Sequence, residues 1–305
     1  MAKQLHALPL ARAKRRLYRV ECVRNADAIR ALLQPRRLYA AYALGQLEPH
    51  LFPLVTCWRA MALEEPAEAL ALFSRGGLGD ALFLMGDEHA LDALLSLHPG
   101  PRQNYVTCEP QHLEVVGRRF AIASERPMMR MAVTAETFVP PRVPPGATVR
   151  RLTAEDTRHV NRLYGSEGTP TYYSPSQIAS GCYHGVIVEG RLVAVAGTHV
   201  IAPHEGIAVV GNVFTHPRWR GLGYATLATG CTTAALLEEC RDVVLTVDPL
   251  NMPAVRAYER LGYSRGIRLI EAAVTRRDVV PFGAAMRRLR ARLRARERGV
   301  EIARR

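Results

Sequence analysis

Val213-Phe214-Thr215-His216-Pro217-Arg218-Trp219-Arg220-Gly221-Leu222-Gly223-Tyr224-Ala225 is the stretch whose reading decides the fold. An apolar β-like run, Ile207 to Phe214, enters it, and a helical run, Tyr224 to Cys240, leaves it. The first turn of a helix carries N–H groups with no partner inside the helix. Those groups and the positive end of the helix dipole form an anion site, and phosphate is its usual occupant. The turn is not a dinucleotide fingerprint, because Thr226 stands where the third glycine belongs, and no Gly-Lys-Ser/Thr follows to make a P-loop. It fits Arg/Gln-x-x-Gly-x-Gly/Ala in two registers, Arg218/Gly221/Gly223 and Arg220/Gly223/Ala225. The second ends inside the first helical turn. There the small Ala225 lets a pyrophosphate approach and Arg220 complements its charge.

The string Val-Phe-Thr-His-Pro-x-x-Arg-Gly-x-Gly-Tyr-Ala resembles the acetyl-CoA-binding motif of the GNAT N-acetyltransferases. Further along, Asn251, Pro253, Ala254 and Ala257-Tyr258-Glu259-Arg260-Leu261-Gly262-Tyr263 resemble that family's second signature, with tyrosine in its final place. The resemblance covers roughly residues 147 to 275. It implies an α/β (α+β) fold, a mixed and mostly antiparallel sheet flanked by helices, in two tandem GNAT-like domains.

The resemblance also places roles. The strand ending Val213-Phe214-Thr215 would part from its neighbour at a bulge and pair with the pantetheine arm like an added strand. Turn amides from Gly221 through Leu222, Gly223 and Tyr224 to Ala225 would hold the pyrophosphate, beside Arg220. A backbone N–H near Phe214 would polarise the thioester carbonyl. Asn251 would touch the pantetheine, unless helix capping is its only task. Tyr258 would be the general acid that protonates the departing thiolate, although it also has helical neighbours, Val255 and Leu261, to pack beside. No base stands out. Many members of the resembled family place a glutamate on the strand before the motif, whereas here Asn212 is its only polar side chain. Glu205, His199, Asn212 through a water, or no dedicated base at all remain open. Tyr172, Tyr173 and Tyr183 are candidates for the acceptor pocket or for plain packing.

Composition sets the outer bounds. A chain of 305 residues, 48% hydrophobic and 23% charged, is long enough for two domains and apolar enough for a core. It has no apolar run of spanning length and no secretory pattern, so a cytoplasmic protein without membrane contact is expected. Six scattered cysteines without CxxC suit neither a disulfide scaffold nor a metal site, and no metal is expected. The formal charge of +13 is almost all arginine, with lysine only at Lys3 and Lys14. So uniform a skew fits a codon bias better than one polyanion-binding surface.

Along the chain, a basic cluster (Arg12, Lys14, Arg15, Arg16) precedes a short strand, and Asn25 caps a helix to about Gln34. A second helix is expected through Leu38, Tyr42 and Leu47, and a strand over Phe52 to Ala60. Arg75-Gly76-Gly77-Leu78-Gly79 joins two strands and reads as a hairpin turn, not a phosphate cradle. Asp87 caps a helix to Leu97. The proline-rich Phe138 to Gly146 is the clearest linker. It sets the expected layout: a degenerate GNAT-like domain over 1–140, a catalytic acetyl-CoA-binding domain over 147–283, and an Arg-rich helix or tail over 284–305.

The expected activity is transfer of an acetyl or other short acyl group from its CoA thioester to a primary amine, by direct attack in a ternary complex. No cysteine in the motif suggests an acyl-enzyme. A small-molecule amine is the favoured acceptor. A protein or peptide amine, or a non-catalytic CoA- or nucleic-acid-binding role, are the alternatives. A homodimer is left open.

Overall fold

The computed structural model describes residues 16–76, 79–168, 172–278, 282–295 and 300–304. Arg12, Lys14, Arg15, Thr169 to Thr171, Arg296 and Arg298 lie outside them. The first half runs β1 (Leu17–Val23), α1 (Ala26–Leu33), α2 (Ala41–Gly45), β2 (Val55–Ala62), β3 (Glu68–Gly76), β4 (Gly79–Gly86), α3 (Glu88–Leu97), β5 (Gln103–Cys108), α4 (Leu113–Arg119) and β6 (Phe120–Val133). The second half repeats that order: β7 (Ala147–Arg151), α5 (Thr157–Tyr164), α6 (Pro175–Ser180), β8 (His184–Val188), β9 (Arg191–Ala202), β10 (Ile207–Thr215), α7 (Tyr224–Leu237), β11 (Asp242–Val247), α8 (Met252–Arg260) and β12 (Ser264–Arg276). α9 (Phe282–Arg294) and β13 (Val300–Arg304) follow.

Local chemistry explains most element starts. The side chains of Asn25 and Asp87 accept N–H bonds from the first turns of α1 and α3. Thr153 and Asp156 form a reciprocal capping box ahead of α5. The β3–β4 pair is the expected hairpin, in register from Ala69↔Gly86 to Gly76↔Gly79. The second helix is shorter than its apolar pattern suggests, covering only Ala41–Gly45. β2 starts at Val55, because Pro53 holds Phe52–Leu54 in a 3₁₀ turn.

The strands form one sheet in the order β13-β1-β2-β3-β4-β5-β12-β6-β11-β10-β9-β8-β7. β4 and β5 are parallel, as are β10 and β11, at equivalent places in the two halves. Each half gives its last strand to the other. β12 pairs with β5 of the first half, β6 pairs with β11 of the second, and the two exchanged strands pair with each other. One apolar core, containing Ile29, Leu44, Leu72, Val200, Val209, Val244 and Leu269, therefore draws on both halves. α1 is tied across as well: the Arg30 guanidinium grips the Glu205 carboxylate at 2.7–2.9 Å.

The Arg-rich end forms a largely exposed helix, α9, in which Ala284 and Ala291 are the buried residues. α9 is followed by β13, which pairs with the sheet edge at β1, a strand that the sequence reading does not anticipate. Glu301 of β13 is buried and bonds both His98 and Arg292.

Two outcomes follow from this wiring. Residues 1–140 and 146–305 made separately each lack an inner strand; they should aggregate or dimerise alone and co-purify one-to-one when co-expressed. A soluble, monomeric 146–305 fragment on size exclusion would contradict the exchange. Arg30→Ala leaves the Glu205 carboxylate buried and unpaired, and should lower unfolding free energy by about 3 kcal/mol in urea titrations, with Glu205→Gln in the same chain restoring part of it.

Candidate active site

β10 is where the sheet opens. It pairs with β11 only from Ile207↔Asp242 to Val210↔Leu245. Its ladder with β9 slips between Gly211 and Phe214, and Asn212 sits in that irregularity at φ 52°, a conformation few non-glycine residues adopt. Beyond the slip, β10 pairs again with β9, at Phe214↔Val195 and Thr215↔Ala194, but not with β11. The β11-side backbone of Val213 to Thr215 thus faces a gap rather than a strand.

The turn that follows is shaped by glycine. Gly221 and Gly223 have φ of 82° and 84°, and Gly223 is the N-cap of α7, so no side chain caps that helix start. α3, the equivalent helix of the first half, differs: Asp87 follows Gly86 directly and its carboxylate takes the N–H groups of His89 and Ala90. The N–H groups at the start of α7 meet no such competitor.

A cleft of about 790 Å³ lies between the parted strands and the starts of α7 and α8. Of the residues read as site candidates, Val213, Phe214, Thr215, Arg220, Gly221, Gly223, Tyr224, Ala225, Asn251 and Tyr258 all line it. Leu222 does not; it is half exposed and lines a neighbouring hollow with Trp219 and His216. Arg220 is held in two directions, with Nε donating to the Thr215 carbonyl at 3.1 Å and its other nitrogen on Glu167. Asn251 caps α8 through Ala254 N–H at 3.3 Å while also facing the cleft. Tyr258 is 8% exposed, has no hydrogen-bond partner among the described residues, and burial pushes its phenol up to about 12. It is protonated at neutral pH and its hydroxyl is unspent.

The base candidates sit elsewhere. Glu205 is occupied by Arg30 and lies at the far end of β10. His199 is held between Tyr42, at 2.6 Å, and the Asn212 side-chain oxygen, at 2.9 Å. Burial lowers its pKa, so the ring is neutral and Asn212 receives the Nε2–H. Asn212 also donates to the Tyr183 hydroxyl at 2.9 Å. None of the three lines the cleft among the described residues. Tyr172 is 83% exposed, whereas Tyr173 and Tyr183 belong to an aromatic cluster with Tyr164 and Phe214.

The sequence reading missed Tyr164, Glu167, Arg256 and Arg260. Tyr164 donates to the Asn212 carbonyl and so secures the slipped segment. Glu167, Arg256 and Arg260 line the cleft. The i, i+4 spacing of the two arginines around Tyr258 was a legible signal of one basic helix face. Nothing local pointed to Glu167, which reaches Arg220 across a long interval of chain.

Residues 150–263 match the sequence profile of the acetyltransferase (GNAT) family. No curated protein matches the chain. Among solved structures, a Drosophila protein determined by structural genomics aligns at TM-score 0.57 and 13% identity, over 83% of this chain and 98% of that one. A GCN5-related N-acetyltransferase from Sphaerobacter thermophilus aligns at TM-score 0.54 and 17% identity, over 85% and 95%. A tandem GNAT protein of the clavulanic acid biosynthesis pathway aligns at TM-score 0.48 and 14% identity, over 86% and 99%. At identities this low, the first two alignments speak to the fold alone, and the profile match is to an acetyltransferase (GNAT) domain at residues 150–263.

Proposed function

We propose that the chain transfers an acetyl or other short acyl group from CoA to a primary amine of a small molecule, in a ternary complex. The observation that carries this reading is the cleft itself: the glycine turn and the α8 residues Asn251 and Tyr258 line one space beside the unpaired edge of β10. The uncapped start of α7 and Arg220 suit a pyrophosphate, with Arg256 and Arg260 adding positive charge. The free edge from Val213 to Thr215 suits the amides of a pantetheine arm.

The neutral amine attacks the thioester carbonyl carbon. A C–N bond forms, the carbonyl oxygen gains charge, and a backbone N–H near Phe214 stabilises it. When the intermediate collapses, the C–S bond breaks and sulfur takes the Tyr258 proton. The proton left on the amide nitrogen returns to the Tyr258 oxygen. The proton that an ammonium must shed before attack goes to solvent, since Glu167, the carboxylate lining the cleft, is engaged by Arg220.

Tyr258→Phe should lower kcat by about tenfold or more while the Kd for acetyl-CoA stays within twofold; unchanged kcat in steady-state assays would remove the acid role. Glu167 pairs with Arg220 at the cleft and competes with a phosphate for its guanidinium. Glu167→Ala should therefore tighten acetyl-CoA binding by about two- to fivefold, the scale of an exposed ion pair, as read by calorimetry. Weaker binding would mean that Glu167 organises Arg220 for the ligand.

A further inference from the structure

The first half reaches the parting of β10 from β11 through α2. Val209 and Val244 share a core with Ala43 and Leu44 of α2, whereas Val210 and Leu245 share one with Tyr258. At this point α2 therefore lies on one face of the sheet and Tyr258 on the other. On the α2 face the Tyr42 hydroxyl meets His199 Nδ1 at 2.6 Å, and His199 Nε2 meets the Asn212 side-chain oxygen at 2.9 Å. An amide oxygen only accepts, so Nε2 carries the imidazole proton. Nδ1 of the neutral ring then accepts from the Tyr42 hydroxyl. The Asn212 amide in turn donates to the Tyr183 hydroxyl at 2.9 Å, so a donor faces an acceptor at each link from Tyr42 to Tyr183.

The backbone is cut to fit these rings. Gly211 and Gly197 are cross-strand partners at the edge of the slip. A Cβ on Gly211 would stand 2.4 Å from the His199 ring, and one on Gly197 would stand 2.1 Å from the Tyr183 ring. Both rings rest on bare backbone and bond Asn212, whose φ is 52°.

The same helix is tied to the other strand. Arg130 of β6 stands opposite Thr246, one residue past Leu245, where β11 loses its pairing with β10. Its Nε donates to Thr246 Oγ1 at 3.3 Å and its Nη1 to the Tyr39 carbonyl at 2.6 Å. Its guanidinium lies 5.0 Å from the centroid of the Tyr42 ring. Arg130 is 2% exposed, so water does not compete for these contacts. Tyr42 is thus fixed relative to β11, while its hydroxyl fixes the slipped segment of β10.

We propose that Tyr42 and His199 are positioning residues for acyl transfer: they brace Asn212 at positive φ and so hold open the β10 edge that takes the pantetheine arm. This rests on the acyltransferase reading above. α2 and β6 of the first half build the brace, which gives that half a task in a reaction whose cleft it does not line among the described residues.

The test uses the full chain and acetyl-CoA. Tyr42→Phe removes one hydroxyl and keeps the ring against Arg130. Gly211→Ala keeps every hydrogen-bonding group and pushes the His199 ring off Asn212. Each should weaken the calorimetric Kd for acetyl-CoA by about fivefold or more, at a temperature where circular dichroism shows the variant folded. A hydroxyl that served stability alone would lower the melting temperature and leave that Kd within about twofold. Glycine takes positive φ without a brace. In an Asn212→Gly background, Tyr42→Phe should therefore change the Kd by less than about twofold. Amide exchange of residues 211–216 reads the brace without a ligand, and should quicken by about fivefold or more in both variants. A Kd within about twofold of wild type in both variants would overturn the proposal. So would an equal loss from Tyr42→Phe with and without Asn212→Gly. A wild-type chain that fails to bind acetyl-CoA overturns the acyltransferase reading instead, and the brace then stands or falls on the exchange rates.

Discussion

The geometry of the site depends on the parting of β10 from β11 after Val210. Two parallel strands in register would satisfy each other and leave nothing for a ligand. One extra residue on β10 turns the chain through Asn212, and every device around it holds that turn. Tyr164 takes the Asn212 carbonyl, while His199 and Tyr183 take its side chain. Positive φ at a non-glycine residue costs free energy, and the surrounding bonds over-determine it. The strain is thus placed at the one position where a backbone edge has to be left free.

The comparison of the halves makes the same point from the other side. β4 and β5 repeat the parallel pairing of β10 and β11, and α3 repeats α7. The first half has no loop between strand and helix, however, and Asp87 places a carboxylate on the N–H groups that an anion would need. A stable helix cap and a phosphate site are alternative uses of the same atoms. The first half has taken the cap, which adds stability.

Much of this was readable from residues. Caps at Asn25, Asp87, Thr153 and Asn251 are local chemistry, and the structure uses each of them. The glycine turn was legible from its own residues and Tyr258 from the resemblance of Asn251 to Tyr263 to a family signature, and both line the one cleft. Pairings between distant strands were not. Neither β6 nor β12 keeps a regular alternation of polar and apolar residues, so no pattern tells which half each will join. Glu205 looked like a candidate base because it precedes the strand; its partner Arg30 lies far away in sequence, and only packing brings them together. β13 is short, follows an arginine-rich helix, and is held by the ion pairs of Glu301, which sequence periodicity does not register.

The exchanged strands also bear on how the chain is made. A ribosome releases the first half in full before β12 exists, so β5 waits with an unpaired edge until β12 emerges. Among the described strands, the last inner one to be synthesised completes the first half, and the last edge strand, β13, closes onto β1, the earliest of them. Contacts this distant in sequence make for slow folding and a prolonged exposure of strand edges. Nascent chains of this protein therefore depend on β12 and β13 emerging, and on whatever shields open edges meanwhile, in a way that a pair of independently folding domains would not.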